Sequence, residues 1–453
     1  MEMPPGPPPL GAPAPPPSER YVEAELVETP EERRQALEDQ AANRRLVATT
    51  AALALLAVAV MIGSFLLFGG ADAEEAARPA PVIPQPSTTD PTGSATTTPE
   101  EATAATAEVD ELVADLQAFV EEQRGLEFTE DVEVEVLDDA AYEDRVRRQT
   151  EEDLAEEPDS IEEDLGVLFA LGLWDPANDP AEVLPEIVAT ASLGVYDPET
   201  GLLLVRGGEI TPLVRTTIVH ELTHALEDQA FDLDRPELDD VVDESSLAFD
   251  AVVEGSASRV EEAYRQTLTD EERDEEEAEE SELASGIDAT RIPPIIGALQ
   301  ELSYGLSTTF LDAVLAEQGD RALDRLLRRP PTTSEAILEP ESFLAGEEPE
   351  EVDAPEAGGE VVDEGVAGQF LLHLIIDPPE VLEQQDGDGE PLPEWDGDRY
   401  VLWQDGEDWC VRIAVVGDLD GFEAGLQRWV DEVAMTGEVS NDGDVVDFTM
   451  CSP

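Results

Sequence analysis

Hydrophobic periodicity becomes regular from residue 109 onward. Between Val109 and Glu122, Leu112, Val113, Leu116 and Val120 recur at helical spacing, which predicts a helix with one apolar face. Val132–Leu137 alternates Val with Glu, the pattern of a half-buried strand. Ala191–Arg206 predicts a hairpin. Apolar residues lead into Tyr196-Asp197-Pro198-Glu199-Thr200-Gly201, whose Asp-Pro and Gly are turn chemistry, and Leu202–Val205 leads out. Three helices are expected next, over Pro212–Gln229, Ser245–Leu268 and Ser303–Arg328. Between the last two, Glu271–Glu280 holds eight acids and one arginine and reads as a solvated loop. The order strand, helix, turn, strand, then helices predicts an α+β fold.

Upstream the pattern changes twice. Residues 1–45 open with a proline tract, Pro4 to Pro17, and read as a disordered tail. Leu46–Gly70 then runs for 25 residues without a charge, long enough at about 1.5 Å per residue to span a hydrocarbon core of roughly 30 Å. Arg33, Arg34, Arg44 and Arg45 precede it and only Arg78 lies close after it. The positive-inside rule therefore places the N-terminus in the cytoplasm and the bulk of the chain outside the cell membrane. A cleaved signal is the rival reading, but the segment exceeds the usual apolar region of one. Residues 71–108, rich in Pro, Thr and Ala, are expected to form an extended stalk. The main domain then covers 109–345, with a C-terminal subdomain, 346–453, packed on it.

Composition sharpens this picture. Among 453 residues, 24 are basic, all arginine, and 109 are acidic, for a formal net charge of −85. So large a negative charge argues against nucleic acid, whose recognition needs a cationic surface. Residues 1–45 carry five arginines against nine acids, a net of −4, and 46–70 carry nothing, which leaves −81 on the external side. Self-repulsion on that scale is relieved by salt, so a high-salt, halophilic setting is expected. The two cysteines, Cys410 and Cys451, both external, are expected to form a disulfide.

Candidate chemistry centres on Ile218-Val-His220-Glu221-Leu-Thr-His224. Residues four apart on a helix point the same way, so His220 and His224 can both ligate one Zn²⁺. Glu221 can then stand beside the open coordination position as the catalytic base. The chain has three histidines, and two of them share this helix turn. The metzincin pattern is excluded, because Glu227 and Ala230 stand where it needs Gly and His. The third ligand is expected to be Glu254, in Val252-Val253-Glu254-Gly255-Ser256-Ala257, an acid among apolar residues that needs a cation or donors. Asp250, one turn earlier, is the runner-up ligand or a partner to a histidine. His373 lies in Phe370-Leu-Leu-His373-Leu-Ile-Ile376 and reads either as a core residue or as a catalytic stabiliser of the developing oxyanion, a role for which Tyr264 and Tyr304 compete. Asp386-Gly-Asp388-Gly-Glu390 resembles a calcium loop in composition but fails EF-hand spacing. Trp395, Trp403, Trp409 and Tyr400 are expected in strands and core.

The histidine helix with a downstream Glu-Gly-x-Ala helix resembles the gluzincin branch of zinc metallopeptidases. Tyr196-Asp197, the His220–Leu233 helix, Glu254-Gly255, Pro330-Pro331-Thr-Thr-Ser-Glu335-Ala-Ile-Leu338 and Trp395-Asp-Gly-Asp-Arg399-Tyr400 further resemble a membrane-anchored surface-protein group of bacteria and haloarchaea. That likeness covers about residues 109–435. It implies a zincin-like fold, zinc on His220, His224 and Glu254, and Glu221 as base. The chain departs from the group at Ser256, where a more polar residue is expected, and at Glu339, where a His is expected. The expected protein is thus a single-pass, membrane-anchored zinc peptidase acting on peptide or protein substrates. The alternative is a non-catalytic surface protein that retains a structural zinc site.

Overall fold

A computed structural model describes residues 99–156, 165–238, 241–285, 292–376 and 392–452, apart from positions 176, 199, 407 and 434. The tail, the uncharged segment Leu46–Gly70, most of the expected stalk and the Asp386–Glu390 turn lie outside the described residues. Among the described residues no helix is long and apolar enough to cross a membrane.

The first helix, α1 (Pro99–Arg124), contains the predicted Val109–Glu122 but begins inside the stretch read as stalk. Pro99 suits a first helical position, and the Glu- and Ala-rich residues after it are strong helix formers. β1 (Glu133–Leu137) follows as expected, then three helices, α2 (Asp139–Glu156), α3 (Gly166–Leu171) and α4 (Pro180–Ala191). The predicted hairpin is present as β2 (Gly194–Asp197) and β3 (Leu202–Arg206), paired antiparallel. β1 joins β3 in parallel, so the sheet order is β1-β3-β2 and β2 lies at an edge.

Helix α5 (Pro212–Phe231) starts where its caps dictate: the Thr211 hydroxyl accepts from the Val214 amide, and Pro212 occupies the first turn. Every residue from Pro212 to Glu227 except Arg215 is buried, so α5 is a central helix enclosed on all sides. It packs against α1, β2, β3 and the long helix α6 (Ser245–Arg265).

Two expectations fail from here. Glu271–Glu280 is not a loop but part of a helix, α7 (Asp270–Ser285). Asp270, Glu271 and Glu272 sit favourably in its first turn, and arginines neutralise one side, with Arg215 on Glu272 and Arg265 on Glu276. Ser303–Arg328 is not one helix either. After α8 (Pro294–Gln300) comes a π-helical turn, Glu301–Leu306, which runs into α9 (Ser307–Gln318). Gly319, at φ +77°, ends α9, and α10 (Arg321–Arg328) begins anew. Two short helices follow, α11 (Ser334–Leu338) and α12 (Pro340–Ala345).

The C-terminal part is a five-stranded antiparallel sheet. Its members are β4 (Val361–Gly365), β5 (Trp395–Asp405), β6 (Asp408–Gly417), β7 (Thr436–Asn441) and β8 (Val446–Cys451), in the order β4-β5-β6-β8-β7. Helices α13 (Gly368–Ile376) and α14 (Leu419–Glu432) pack on it, and α3 packs on β6 and β8. The Trp429 indole donates to the Leu171 carbonyl across that junction. Cys410 and Cys451, directly opposed on β6 and β8, form the expected disulfide. Trp395, Trp403 and Trp409 are buried, and one apolar core runs from Tyr142 to Met450 through both parts. The fold is α+β.

Candidate metal centre

α5 supplies His220, Glu221 and His224, and α6 supplies Glu254; all four are buried. The imidazole rings of His220 and His224 lie 4.8 Å apart, one helical turn from each other. Glu254 Oε2 stands 3.3 Å from His220 Nε2 and 3.6 Å from His224 Nε2. Tetrahedral zinc bonds of about 2.0–2.1 Å would place ligand atoms about 3.3–3.4 Å apart, close to both Glu254–histidine separations, and all three donor atoms lie within 4.8 Å of one another. His224 Nε2 has no hydrogen-bond partner, which is costly for a buried polar atom and fits a cation between the three donors.

Electrostatics points the same way. Three buried carboxylates, Glu221, Glu254 and Glu261, surround two imidazoles. Burial alone would depress His220, yet hydrogen bonds to Glu254 and Glu261 outweigh it and raise its pKa to about 10. His224 is raised against the same desolvation, chiefly by the Glu254 charge. Glu254 is held far below the usual carboxylate range: desolvation opposes ionisation, and the two histidines overcome it. The site therefore demands positive charge, as protons or as a metal.

Glu221 stands apart from that pairing. Neither of its oxygens makes a side-chain hydrogen bond; burial pushes its pKa up against the two histidines and the Tyr196 amide, which favour the ionised form. It lies against edge strand β2, whose Gly194 leaves no room for even a methyl group: an added Cβ would stand 2.7 Å from Glu221 Cγ. A carboxylate with no side-chain partner, beside the three candidate ligand atoms, can accept a proton.

Two contributions, from Glu261 and Glu227, escaped the sequence reading, and the choice between Tyr264 and Tyr304 was left to the structure. Glu261 accepts at 2.7 Å from His220 Nδ1, which leaves Nε2 free to face Glu254. It takes the partner role considered for Asp250, which is half-buried and outside the cluster. Its signal was available, since Glu261 follows Glu254 by seven residues on one helix face. Glu227, one turn after His224, accepts at 2.5 Å from both Arg124 Nε and Ser256 Oγ, so a buried junction ties α1, α5 and α6 behind the ligands. The π-helical turn brings Tyr304 to the site, its ring 6.1 Å from that of His220. Tyr264 instead packs edge-on against Phe119, in the apolar cluster between α1 and α6.

His373 is not brought to this cluster. It lies on α13, where its Nε2 bonds the Pro393 carbonyl at 2.9 Å and its ring stacks on Phe422. It is the satisfied core histidine. Glu339 also belongs to that neighbourhood, accepting from Gln369 Nε2. No protein-family model, curated protein or solved structure matches this chain.

Proposed function

We propose that the chain is a zinc-dependent peptidase of zincin-like, gluzincin type, anchored by Leu46–Gly70 with its folded part outside the cell membrane. The convergence of His220 Nε2, His224 Nε2 and Glu254 Oε2 beside the Glu221 carboxylate, which has no side-chain partner, carries this reading. Two imidazoles and one carboxylate are a donor set that zinc favours for catalysis, whereas structural zinc sites close with a fourth protein ligand. The alternative of a structural site is correspondingly weaker. Zinc bound there supplies Lewis acidity, which polarises the scissile carbonyl and lowers the pKa of water.

The chain's own residues do the rest. Glu221 takes the proton from the attacking water and passes it to the leaving amine; its raised pKa suits a group that must do both. Glu261 holds His220 in the tautomer that presents Nε2 to the metal. Tyr304, whose side chain bonds Glu254 close to Glu221, is the hydroxyl proposed to donate to the oxygen that gains charge. Strand β2, at the edge of its sheet and beside Glu221, is where an extended peptide would be expected to add as a further strand. The anchor rests on the uncharged segment and its preceding arginines.

The deciding experiment uses the full-length chain in high salt. Stoichiometric zinc that is lost in His220→Ala establishes the site. Zinc retained in Glu221→Gln, with hydrolysis of a broad peptide library abolished, establishes the enzyme. A zinc-loaded parent that cleaves nothing in that library would refute it.

A further inference from the structure

Helix α7 has no place in the reaction just described, and its composition opposes docking: ten of its sixteen residues are acids. It is docked nonetheless. Glu276, buried at 4 % exposure, accepts from Arg265 Nε of α6 at 3.0 Å. The same guanidinium, through Nη1, stands 2.7 Å from Glu261 Oε1. The other oxygen of Glu261 is the one that meets His220 Nδ1. Four side chains on three helices thus run in line from α7 to a ligand atom's ring. Arg215 of α5 pairs with Glu272 at 2.7 Å, and Leu283 and Ala284 pack on Leu213 and Leu193, so both ends of α7 are fastened beside α5 and β2.

We infer that Arg265 and Glu276 are positioning residues of the metal centre, so that docking of α7 sets its affinity for metal; this rests on the zinc reading above. A carboxylate held at both oxygens has one orientation. Arg265 holds Oε1 of Glu261, which aims Oε2 at His220. Without it, Glu261 is a buried anion beside Glu254 and Glu221 with nothing to fix its plane. Glu276 acts one step further out. The guanidinium is planar, so a partner at Nε and another at Nη1 define its orientation in full.

The charge of α7 adds a dependence on salt. Its exposed acids repel one another and the rest of an acidic chain, and that repulsion reaches about 10 Å at 0.1 M salt but only about 3 Å at 1 M. The contacts of Arg265 with the buried carboxylates of Glu261 and Glu276 are part-buried and are screened less. Salt therefore removes what opposes docking and spares most of what favours it.

The test is competitive zinc titration of the metal-stripped full-length chain, from about 0.1 M to about 1 M NaCl. Wild type, Glu276→Gln, Glu276→Asp and Arg265→Met are compared, with the absorption spectrum of the cobalt-substituted proteins as second readout. Salt also screens the attraction of a −85 chain for Zn²⁺, in every variant alike, so wild-type affinity is expected to fall less steeply with salt than that of Glu276→Gln. Loss of a partner directly behind a ligand costs about 10–100-fold in affinity; Arg265 acts through that partner, Glu261, so Arg265→Met is expected at about tenfold and Glu276→Gln, one link further out, at about threefold. Glu276→Gln should also steepen the fall of affinity with salt and shift the cobalt bands, while Glu276→Asp restores part of each. The melting temperature of the metal-stripped variants separates positioning from general destabilisation. Should Arg265→Met fail to fold, Glu276→Gln decides alone. A wild type that binds no zinc overturns the metal reading and this inference with it. Zinc on the wild type, with unchanged affinity, salt slope and cobalt spectrum in Glu276→Gln, overturns this inference only.

Discussion

Gly194→Ala is the most economical perturbation of the proposed base. Gly194 lies on β2 where the sheet edge meets α5, and the three atoms nearest an added methyl all belong to Glu221 and Thr217. The methyl would stand 2.7 Å from Glu221 Cγ and 2.8 Å from Thr217 Cγ2. Carbons in contact rest at about 3.5–4.0 Å, so the Glu221 side chain or the strand must give by about 1 Å. Overpacking of this kind costs about 1–3 kcal/mol of stability. A reacting group misplaced by about 1 Å costs about 100-fold in rate. The histidines are not among those nearest atoms, so zinc stoichiometry should hold. The assay pairs zinc content with kcat/KM on a cleaved peptide and with thermal unfolding. Gly208→Ala is the control, because open space surrounds that position. Wild-type kcat/KM in a folded, zinc-loaded Gly194→Ala protein would show that the close approach of β2 does not place the base.

Other outcomes follow from groups outside the centre. Burial raises Glu244 to about 8, so the folded chain keeps a proton that the unfolded chain releases near 4.5. Its stabilising contribution is full below about 4.5 and is lost as pH rises through about 8, so Glu244→Gln should gain on wild type across that window, by on the order of a few kcal/mol, in unfolding measured against pH. His373→Gln should leave zinc content untouched, while loss of the bond to the Pro393 carbonyl costs about 1–3 kcal/mol in denaturant unfolding. Burial lowers the pKa of His373, so wild type should lose stability as pH falls below about 6.5, and the variant should lose less. The Cys410–Cys451 bridge spans 41 residues, and its reduction should cost about 4 kcal/mol by chain entropy, read as a lower unfolding midpoint in reductant.

Much of the centre was legible because helical spacing is a local rule. His220 and His224 share a face whatever surrounds them, and Thr211-Pro212 starts their helix in any context. Glu254 was legible as an acid that apolar neighbours isolate. Elsewhere local signals misled. The acids of Glu271–Glu280 read as a solvated loop because the arginines that accept them, Arg215 and Arg265, lie on other helices. His373 kept two readings open, since its neighbours in sequence are apolar and its partners, Pro393 and Phe422, are distant along the chain. Gly319 was a visible stop that the apolar pattern on either side of it hid.

By itself the sequence determined the composition of the His220–His224–Glu254 cluster, the start of the histidine helix, the hairpin beside it and the cysteine pair. Each depends on spacing along the chain or on the scarcity of a residue type. Tertiary structure decided that Glu254 meets both histidines, that Glu261 rather than Asp250 backs His220, that Tyr304 rather than Tyr264 reaches the site, and that an acidic helix docks behind it. Those outcomes depend on the angle and approach of α6 and the π-helical turn against α5. Packing of side chains far apart in the chain sets that approach, and no periodicity in one segment encodes it.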